Sequence, residues 1–162
     1  MRIGIPREVK DGESRVALTP AAVATLAGVV VEPGAGAGVG FPDEMYVKAG
    51  ATPGDPWQCD LIVKVKEIQP AEYARPRRGQ TVLGFDQFSA NRALLDAALA
   101  SGATFISYNT VGSQRGAAPI LAPMSALAGR LAVQVGAWCL QKHTAAAACC
   151  SPASRAWRRA RS

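Results

Sequence analysis

Two lysines at the end of an apolar run are the residues of this sequence with the clearest capacity for chemistry. Residues 61–67 read Leu-Ile-Val-Lys-Val-Lys-Glu, and this run predicts a strand covered on both faces, as in a parallel sheet. Ligands of open parallel sheets bind beyond the carboxyl ends of the strands. Lys64 and Lys66 lie at that end, and their spacing points both to one side. The pair suits a carboxylate substrate, although the same lysines could simply mark where the strand reaches solvent.

Composition limits the classes of protein that the chain could form. Of 162 residues, 49% are hydrophobic and 19% charged, which is typical of a globular domain with its own core. The net charge is +6, but residues 143–162 hold four arginines and no acid, so the remainder carries 14 basic and 12 acidic side chains. The charge therefore does not indicate nucleic-acid binding.

Cysteine usage and the amino terminus indicate the compartment. Four cysteines without Cys-x-x-Cys spacing and a single histidine make a zinc site improbable, so we expect no metal. The first residues, Met-Arg-Ile-Gly-Ile-Pro, show neither a long apolar core nor a cleavage site. We therefore expect a cytoplasmic protein with free thiols.

Strands and short helices alternate along the chain. We predict strands at Arg2–Pro6, Val29–Glu32, 61–67, Thr81–Phe85 and Thr104–Tyr108, and helices at Pro20–Ala27, Asp43–Ala49 and Asn91–Ser101. Thr19 is the predicted N-cap of the first helix, Pro20 its first residue, and Thr52–Pro56 a link. This order predicts an α/β fold with a doubly wound, mostly parallel sheet.

A glycine-rich segment at residues 34–40 invites comparison with a nucleotide loop. The dinucleotide fingerprint needs glycines at positions i, i+2 and i+5, and Val39 or Phe41 stands at the third position here. The pattern therefore favours a loop with a close backbone approach rather than a phosphate site.

The longest predicted helix, Pro123 to about Lys142, is apolar on more than one face. Such a helix must be buried on several sides, and Gly129 and Gly136 would let another element approach. Arg130 and Gln134 near its middle argue against a membrane span. We expect it to lie between two domains, only one of which this chain encodes.

Several motifs in register make the chain resemble a known family. They are Met1-Arg-Ile-Gly-Ile-Pro-Arg-Glu, Arg15-Val-Ala-Leu-Thr-Pro, Gly34-Ala-Gly, Leu61-Ile-Val-Lys-Val-Lys-Glu and Leu121-Ala-Pro-Met-Ser. Over residues 1–142 the sequence is similar to the N-terminal domain of the alanine dehydrogenase and nicotinamide nucleotide transhydrogenase family, closest to alanine dehydrogenase. The resemblance implies a flavodoxin-like substrate domain, an NAD cofactor in a separate Rossmann domain, and a homo-oligomer.

The resemblance also implies roles for individual residues. In alanine dehydrogenases, residues matching Arg15 and Lys66 bind the carboxylate and carbonyl oxygen of pyruvate, and a methionine matching Met124 packs over the substrate. A guanidinium can take a carboxylate bidentately, and a lysine can stabilise charge at a carbonyl. Ser125, near a helix N-terminus, would face the dinucleotide.

One departure from the family lies after the predicted strand Thr81–Phe85. Gln87 stands where the family has its catalytic histidine, and glutamine can hydrogen-bond a carbonyl but cannot carry a proton near neutral pH. Asp86 is an adjacent carboxylate that could substitute, although a solvated loop acid is the simpler expectation. The alternatives are therefore an L-alanine dehydrogenase-like enzyme, a transhydrogenase alpha-subunit-like domain with a membrane partner, and a non-enzymatic carboxylate-binding or dimerisation module.

The tail at residues 143–162 has the composition that results when a GC-rich gene is translated out of frame. A permitted back-translation, read from its third base, spells His-Gly-Gly-Arg-Gly-Val-Leu-Leu-Ala-Gly-Val-Pro-Gly-Val, the segment that follows the long helix in the family. We therefore expect a partial substrate domain at 1–122, an interdomain helix at 123–142 and a frameshifted tail at 143–162. Such a chain would lack the Rossmann NAD domain and be inactive; a natural basic tail that binds acidic partners is the alternative.

Overall fold

A parallel sheet is the centre of the first of two units in the chain, Met1–Ala118 and Pro119–Ser162. The computed structural model describes residues 1–112 and 118–141. The first unit contains β1 (Ile3–Ile5), α1 (Pro20–Val23), β2 (Val29–Val31), α2 (Asp43–Lys48), β3 (Thr52–Pro53), β4 (Leu61–Lys66), β5 (Thr81–Phe85), α3 (Arg92–Ser101) and β6 (Thr104–Ser107).

The strand order places the ends of β1 and β4 side by side. The sheet runs β3-β2-β1-β4-β5-β6, and neighbouring strands pair in parallel. The chain moves from β1 to β2 on one side and from β4 to β5 on the other. In a doubly wound sheet this reversal opens a crevice at the carboxyl ends of the two central strands. The predicted α/β fold class is confirmed.

One strand of the sheet was absent from the sequence prediction. β3 consists of Thr52 and Pro53, within the segment predicted as a link, and pairs only with β2. Proline lacks the N–H that a central strand must donate, so Pro53 is compatible only with the edge of the sheet. A two-residue strand containing proline leaves no pattern that a sequence reading could detect.

Apolar side chains cover both faces of the sheet. Val29 and Val31 belong to one buried cluster and Val30 to a second. Ile62 and Val63 divide between the clusters in the same way. Because successive strand residues face opposite sides, this division buries both faces and accounts for the continuous apolar runs in the sequence.

Capping residues define the helix ends, and the Thr19 cap is as predicted. The Thr19 side chain accepts a hydrogen bond from the Ala22 N–H, and Asn91 caps α3 in the same way. Gly102 ends α3 with a φ of 66°, a left-handed conformation that favours glycine. α1 is shorter than predicted, since it ends at Val23 and the chain then turns back to enter β2.

The second unit is described by the helix α4, Leu121–Cys139. None of its described residues is buried, and Leu127, Val133 and Trp138 are among its exposed apolar side chains. Its predicted position between two domains therefore stays a prediction. In the described part of the chain, no helix has the length and apolar character needed to cross a membrane.

Candidate substrate site at the carboxyl edge of the sheet

The first of the two strand lysines is committed to an internal ion-pair network. Lys64 has a fully buried side chain, and its Nζ lies 2.8 Å from Oε1 of Glu72 and 3.4 Å from Oε2 of Glu8. Two carboxylates on one buried ammonium stabilise its charge and leave it unavailable to a ligand. The expectation that both lysines are free for a carboxylate substrate is therefore wrong for Lys64.

Glu8 connects the loop after β1 to the end of β4. Its carboxylate accepts hydrogen bonds from the backbone N–H groups of Val65, at 2.7 Å, and Lys66, at 3.3 Å. Burial raises the pKa of Glu8, and Lys64 opposes that rise. The β4–β5 register shifts between Val63 and Lys66, so Glu8 binds backbone donors where the strand ladder is irregular. Glu8 thus fixes the backbone that carries Lys66.

Lys66 keeps contact with solvent. Its side chain is 23% exposed, and the nearest carboxylate oxygen, Oε2 of Glu67, lies 3.7 Å from its Nζ. Glu67 also accepts a hydrogen bond from Lys10, so the carboxylate is shared between two lysines. Lys66 can therefore exchange this loose partner for a ligand oxygen.

Arg15 lies beside a hollow of about 270 Å³ next to the glycine-rich loop. Its Nε and Nη2 donate hydrogen bonds of 2.8 and 2.6 Å to the two carboxylate oxygens of Glu13. The guanidinium holds the pKa of Glu13 below its usual range, and Lys66 contributes in the same direction. Arg15 is half exposed and makes a bidentate contact with a carboxylate.

The glycine-rich loop forms one wall of this hollow. A Cβ at Gly38 would lie 2.8 Å from the carbonyl oxygen of Ser14, so only glycine permits the approach. This confirms the predicted close backbone contact. Lys66 is not among the residues that line the hollow, whereas Glu8 lines it and also binds the Lys66 backbone.

Asp86 follows β5 and is buried. The residue is 4% exposed, and neither oxygen of its carboxylate has a hydrogen-bond partner within the described residues. Burial raises the pKa of Asp86 to about 6, with Glu67 adding to the rise and Lys64 opposing it. The expectation of a solvated loop acid is therefore wrong.

A second hollow, of about 420 Å³, contains Asp86 and Gln87 together with hydroxyl and amide side chains. The Ser107 hydroxyl and the Asn109 amide each donate a 3.1 Å hydrogen bond to the backbone carbonyl of Asp86. These bonds tie the segment after β5 to the end of β6. Asp86 and Gln87 thus line one hollow, and their catalytic roles stay predictions.

Gly84 on β5 lies close to both Lys66 of β4 and Asp86. A Cβ placed there would lie 3.3 Å from the carbonyl oxygen of Lys66 and 3.8 Å from Oδ2 of Asp86. The backbone of Lys66 and the Asp86 carboxyl therefore flank the same small residue. Arg15, Lys66 and Asp86 all belong to loops or strand ends at the carboxyl edge of the sheet.

Met124 and Ser125 lie in α4, in the second unit. Met124 is half-buried and Ser125 is exposed within that unit, and their roles stay predictions. Sequence reasoning missed Glu8 and Glu72, whose contacts depend on the fold, and Glu13, which pairs with Arg15 two residues further along. Within residues 1–112 and 118–141, no group of three acidic, cysteine or histidine side chains is arranged to hold a metal ion.

The strand order defines a domain of the doubly wound α/β class, with charged side chains at the carboxyl edge of its sheet. Residues 4–128 match the family described as "Alanine dehydrogenase/PNT, N-terminal domain". The chain therefore belongs to that family, and the resemblance noted in the sequence is confirmed.

Individual relatives agree with this assignment. The alanine dehydrogenase of Mycobacterium tuberculosis strain H37Rv is 48% identical over 151 residues, which cover 88% of this chain and 41% of that protein. The alanine dehydrogenase of Bacillus subtilis is 43% identical over 150 residues, covering 88% of this chain and 39% of that protein. The chain thus spans about two fifths of the length of these relatives.

Two solved structures are similar to the fold. An L-alanine dehydrogenase has a TM-score of 0.83 at 42% identity, covering 88% of this chain and 42% of the other. A transhydrogenase from Sinorhizobium meliloti has a TM-score of 0.63 at 31% identity, covering 67% and 35% respectively. Both branches of the family are therefore represented among its structural neighbours.

Proposed function

We propose that this chain is the substrate-binding part of an NAD-dependent, L-alanine dehydrogenase-like oxidoreductase. The whole protein would convert L-alanine to pyruvate and ammonia, and the isolated chain would be inactive. The observation that carries this proposal is the pairing of Arg15 with Glu13 beside an open hollow, since the same guanidinium geometry suits the carboxylate of a small keto acid.

Each residue at the edge of the sheet has a distinct role in the proposal. Arg15 releases the Glu13 carboxylate and binds the substrate carboxylate in its place. Lys66, held through its backbone by Glu8, places an ammonium group near the carbonyl oxygen, where negative charge develops during reduction. Gln87 donates a hydrogen bond to the same oxygen. In the proposal, Met124 packs over the substrate.

We propose that the glycine-rich loop does not hold NAD. The N–H of Gly34 already donates a 2.8 Å hydrogen bond to the Asp43 carboxylate. The helix that follows the glycine-rich loop has Asp43 and Glu44 in its first turn, and acidic residues there disfavour a pyrophosphate. We therefore propose that NAD binds chiefly to a part of the full-length family protein outside the described residues, with Ser125 facing it.

Binding of pyruvate to the purified chain tests the proposal. Calorimetric titration should show millimolar or tighter binding, and Arg15→Ala and Lys66→Ala should each weaken it by about tenfold or more. Arg92→Ala is a matched control, because Arg92 is an exposed arginine on α3 that pairs with Asp96. Absence of binding at millimolar pyruvate would contradict the proposal, and NAD reduction by the chain alone would contradict its inactivity.

A transhydrogenase alpha-subunit-like domain is the second candidate. Gln87 favours it, because a domain that only supports hydride transfer between nucleotides needs no proton-carrying histidine, and a transhydrogenase is among the structural neighbours. In that case pyruvate would not bind, and a membrane subunit would co-purify with the chain. Pyruvate binding without turnover in any longer form of the protein would instead favour a non-enzymatic carboxylate-binding module.

We also propose that the substrate domain covers residues 1–122 and that the interdomain helix covers 123–142. The proposed frameshifted tail, 143–162, lies outside the described residues. Resequencing the gene beyond codon 142 tests it: a reading frame that continues intact through Ser162, with no Rossmann sequence downstream in any frame, would contradict the frameshift.

For the whole protein we propose a cytoplasmic homo-oligomer without nucleic-acid partners, and without a membrane partner unless it is transhydrogenase-like.

A further inference from the structure

β4 contains one residue more than its neighbour β5 near the end that carries Lys66. Val63 pairs with Leu83 and Lys66 pairs with Phe85, so three steps along β4 correspond to two steps along β5. An extra residue of this kind is a β-bulge, which bends its strand and redirects the side chains that follow. The bulge therefore lies directly before Lys66.

The bulge separates two lysines that a regular strand would place together. Lys64 and Lys66 are two residues apart and would face the same side of a regular strand, whereas a shift by one residue moves a side chain to the other face. The Lys64 side chain is fully buried beside Glu8 and Glu72, and the Lys66 side chain is 23% exposed. The strand irregularity thus accounts for the different surroundings of the two lysines.

Glu8 holds the bulge from the loop that follows β1. One of its carboxylate oxygens accepts a hydrogen bond from the N–H of Val65, at 2.7 Å, and the other accepts one from the N–H of Lys66, at 3.3 Å. Hydrogen bonds to an ionised carboxylate are stronger than bonds between neutral groups. Glu8 is buried, so water competes little for these two donors.

Gly84 on β5 leaves room for the bulge. It lies between Leu83 and Phe85, the two β5 residues whose pairings enclose the extra residue of β4. A Cβ at this position would lie 3.3 Å from the carbonyl oxygen of Lys66. This separation is shorter than an ordinary van der Waals contact, so a larger side chain would press on the backbone that carries Lys66.

Glu8 also connects the Lys66 backbone to the hollow beside Arg15. Glu8 is one of the residues that line this hollow. The Arg15 guanidinium holds the pKa of Glu13 below its usual range, and the charge of Lys66 adds to this effect. The positive charge of Lys66 therefore acts on the same carboxylate that Arg15 binds.

We propose that Glu8 is a positioning residue, which holds the β4 bulge in the geometry that turns the Lys66 ammonium out of the core and towards a keto acid bound at Arg15. This inference rests on the proposed keto-acid function and adds to it the residue that sets the direction of Lys66. The Glu8 carboxylate is occupied by two N–H groups and by Lys64, so Glu8 acts through Lys66 rather than on the substrate.

NMR titration of pyruvate into the 162-residue chain tests this role, with the Glu8 and Lys66 substitutions made singly and together. Glu8→Gln keeps the size of the side chain but loses its charge and one acceptor oxygen, so we expect pyruvate to bind about five- to tenfold more weakly. In the Lys66→Ala background the same substitution should weaken binding by less than about twofold, because the residue that it positions is gone. A substitution that only lowered stability would not show this coupling to Lys66.

Two other substitutions of glutamate by glutamine are matched controls. Glu72→Gln removes the other carboxylate from Lys64, but Glu72 binds the N–H of Gln69 rather than the bulge. Glu44→Gln changes an exposed acid on α2. Both should leave the pyruvate affinity within about twofold of that of the unmodified chain. A loss with Glu72→Gln as large as that with Glu8→Gln would assign the effect to the ion pairs of Lys64 and overturn the inference.

The outcomes separate this inference from the function on which it rests. Unchanged affinity in Glu8→Gln, or an equal loss with and without Lys66, overturns the positioning role and leaves the keto-acid function standing. Absence of pyruvate binding to the unmodified chain overturns the keto-acid function and this role with it.

Gly84→Ala provides a second test should Glu8→Gln not fold. Its methyl group would press on the Lys66 backbone, so we expect pyruvate to bind about two- to threefold more weakly, and the loss should disappear in the Lys66→Ala background. Unchanged affinity, or a loss that is independent of Lys66, overturns the inference.

Discussion

Two groups of buried carboxylates at the same edge of the sheet differ in their partners. Glu8 and Glu72 surround the buried ammonium of Lys64 and also bind backbone N–H groups. Asp86, one strand further along, has no hydrogen-bond partner within the described residues. The paired acids have cationic and N–H donors beside them, whereas burial without such donors raises the pKa of Asp86 to about 6. Burial alone therefore does not define the role of an acid; the available donors do.

Removing the cation from the first group should have the largest effect. Lys64→Met would leave Glu8 and Glu72 buried without their shared counter-ion, and we expect the free energy of unfolding to fall by about 3–5 kcal/mol. Urea denaturation at pH 7 measures this change. Lys48→Met, at an exposed position on α2, should change it by less than about 0.5 kcal/mol. A loss below about 1 kcal/mol for Lys64→Met would show that the network contributes little.

Asp86 should behave in the opposite way. Its folded-state pKa, about 6 against an ordinary value of 3.8, means that the folded chain holds this proton more tightly than the unfolded chain. The contribution of Asp86 to stability is therefore lost as pH rises from about 4 to about 6. Asp86→Asn should raise the free energy of unfolding at pH 8 by roughly 2–3 kcal/mol and leave it nearly unchanged at pH 4. A destabilised variant at pH 8 would mean that ionised Asp86 has a favourable partner.

The pair of Arg15, which is half exposed, and Glu13 is a third case, in which we propose that the cation changes partner. Arg15→Lys should weaken pyruvate binding by about tenfold, because an ammonium cannot reproduce the bidentate contact. Arg92→Lys on α3 should leave the affinity unchanged. Equal affinities of Arg15→Lys and the unmodified chain would exclude a bidentate role for Arg15.

The smallest expected effect concerns Glu13 itself. Glu13→Gln removes the charge that competes with the substrate for Arg15, so pyruvate should bind about two- to fivefold more tightly at pH 7. Asp96→Asn, which breaks a more exposed arginine–carboxylate pair with Arg92, should have no effect on binding. Weaker binding to Glu13→Gln would mean that Glu13 orients Arg15 rather than competing for it.

The sequence predicted those features that depend on local pattern. The apolar run of β4, the Thr19 cap and the helix end at Gly102 follow from strand period and cap chemistry, which act over a few residues. The partners of Lys64 could not be predicted in this way, because Glu8 is remote in sequence and meets Lys64 only once β1 and β4 pair. The burial of Asp86 likewise depends on the contacts that Ser107 and Asn109 make with its backbone.

The family resemblance pointed to Arg15 and Lys66 but could not describe their surroundings. Glu13 and Glu67 are close in sequence to the cations that they contact, yet adjacency alone does not distinguish an ion pair from two solvated side chains. The sequence did not predict the second hollow and showed only that Asp86 and Gln87 are adjacent. Part of its polar lining, Ser107, Asn109 and Thr110, comes from the end of β6 and the residues after it, and the placement of β6 beside β5 is a property of the whole sheet.

A crystal structure of the chain soaked with pyruvate tests the central claim most directly. We predict that the pyruvate carboxylate replaces Glu13 at the Arg15 guanidinium and that Nζ of Lys66 moves to about 3 Å from the keto oxygen. Pyruvate bound away from both side chains, with the Arg15–Glu13 pair intact, would contradict the account.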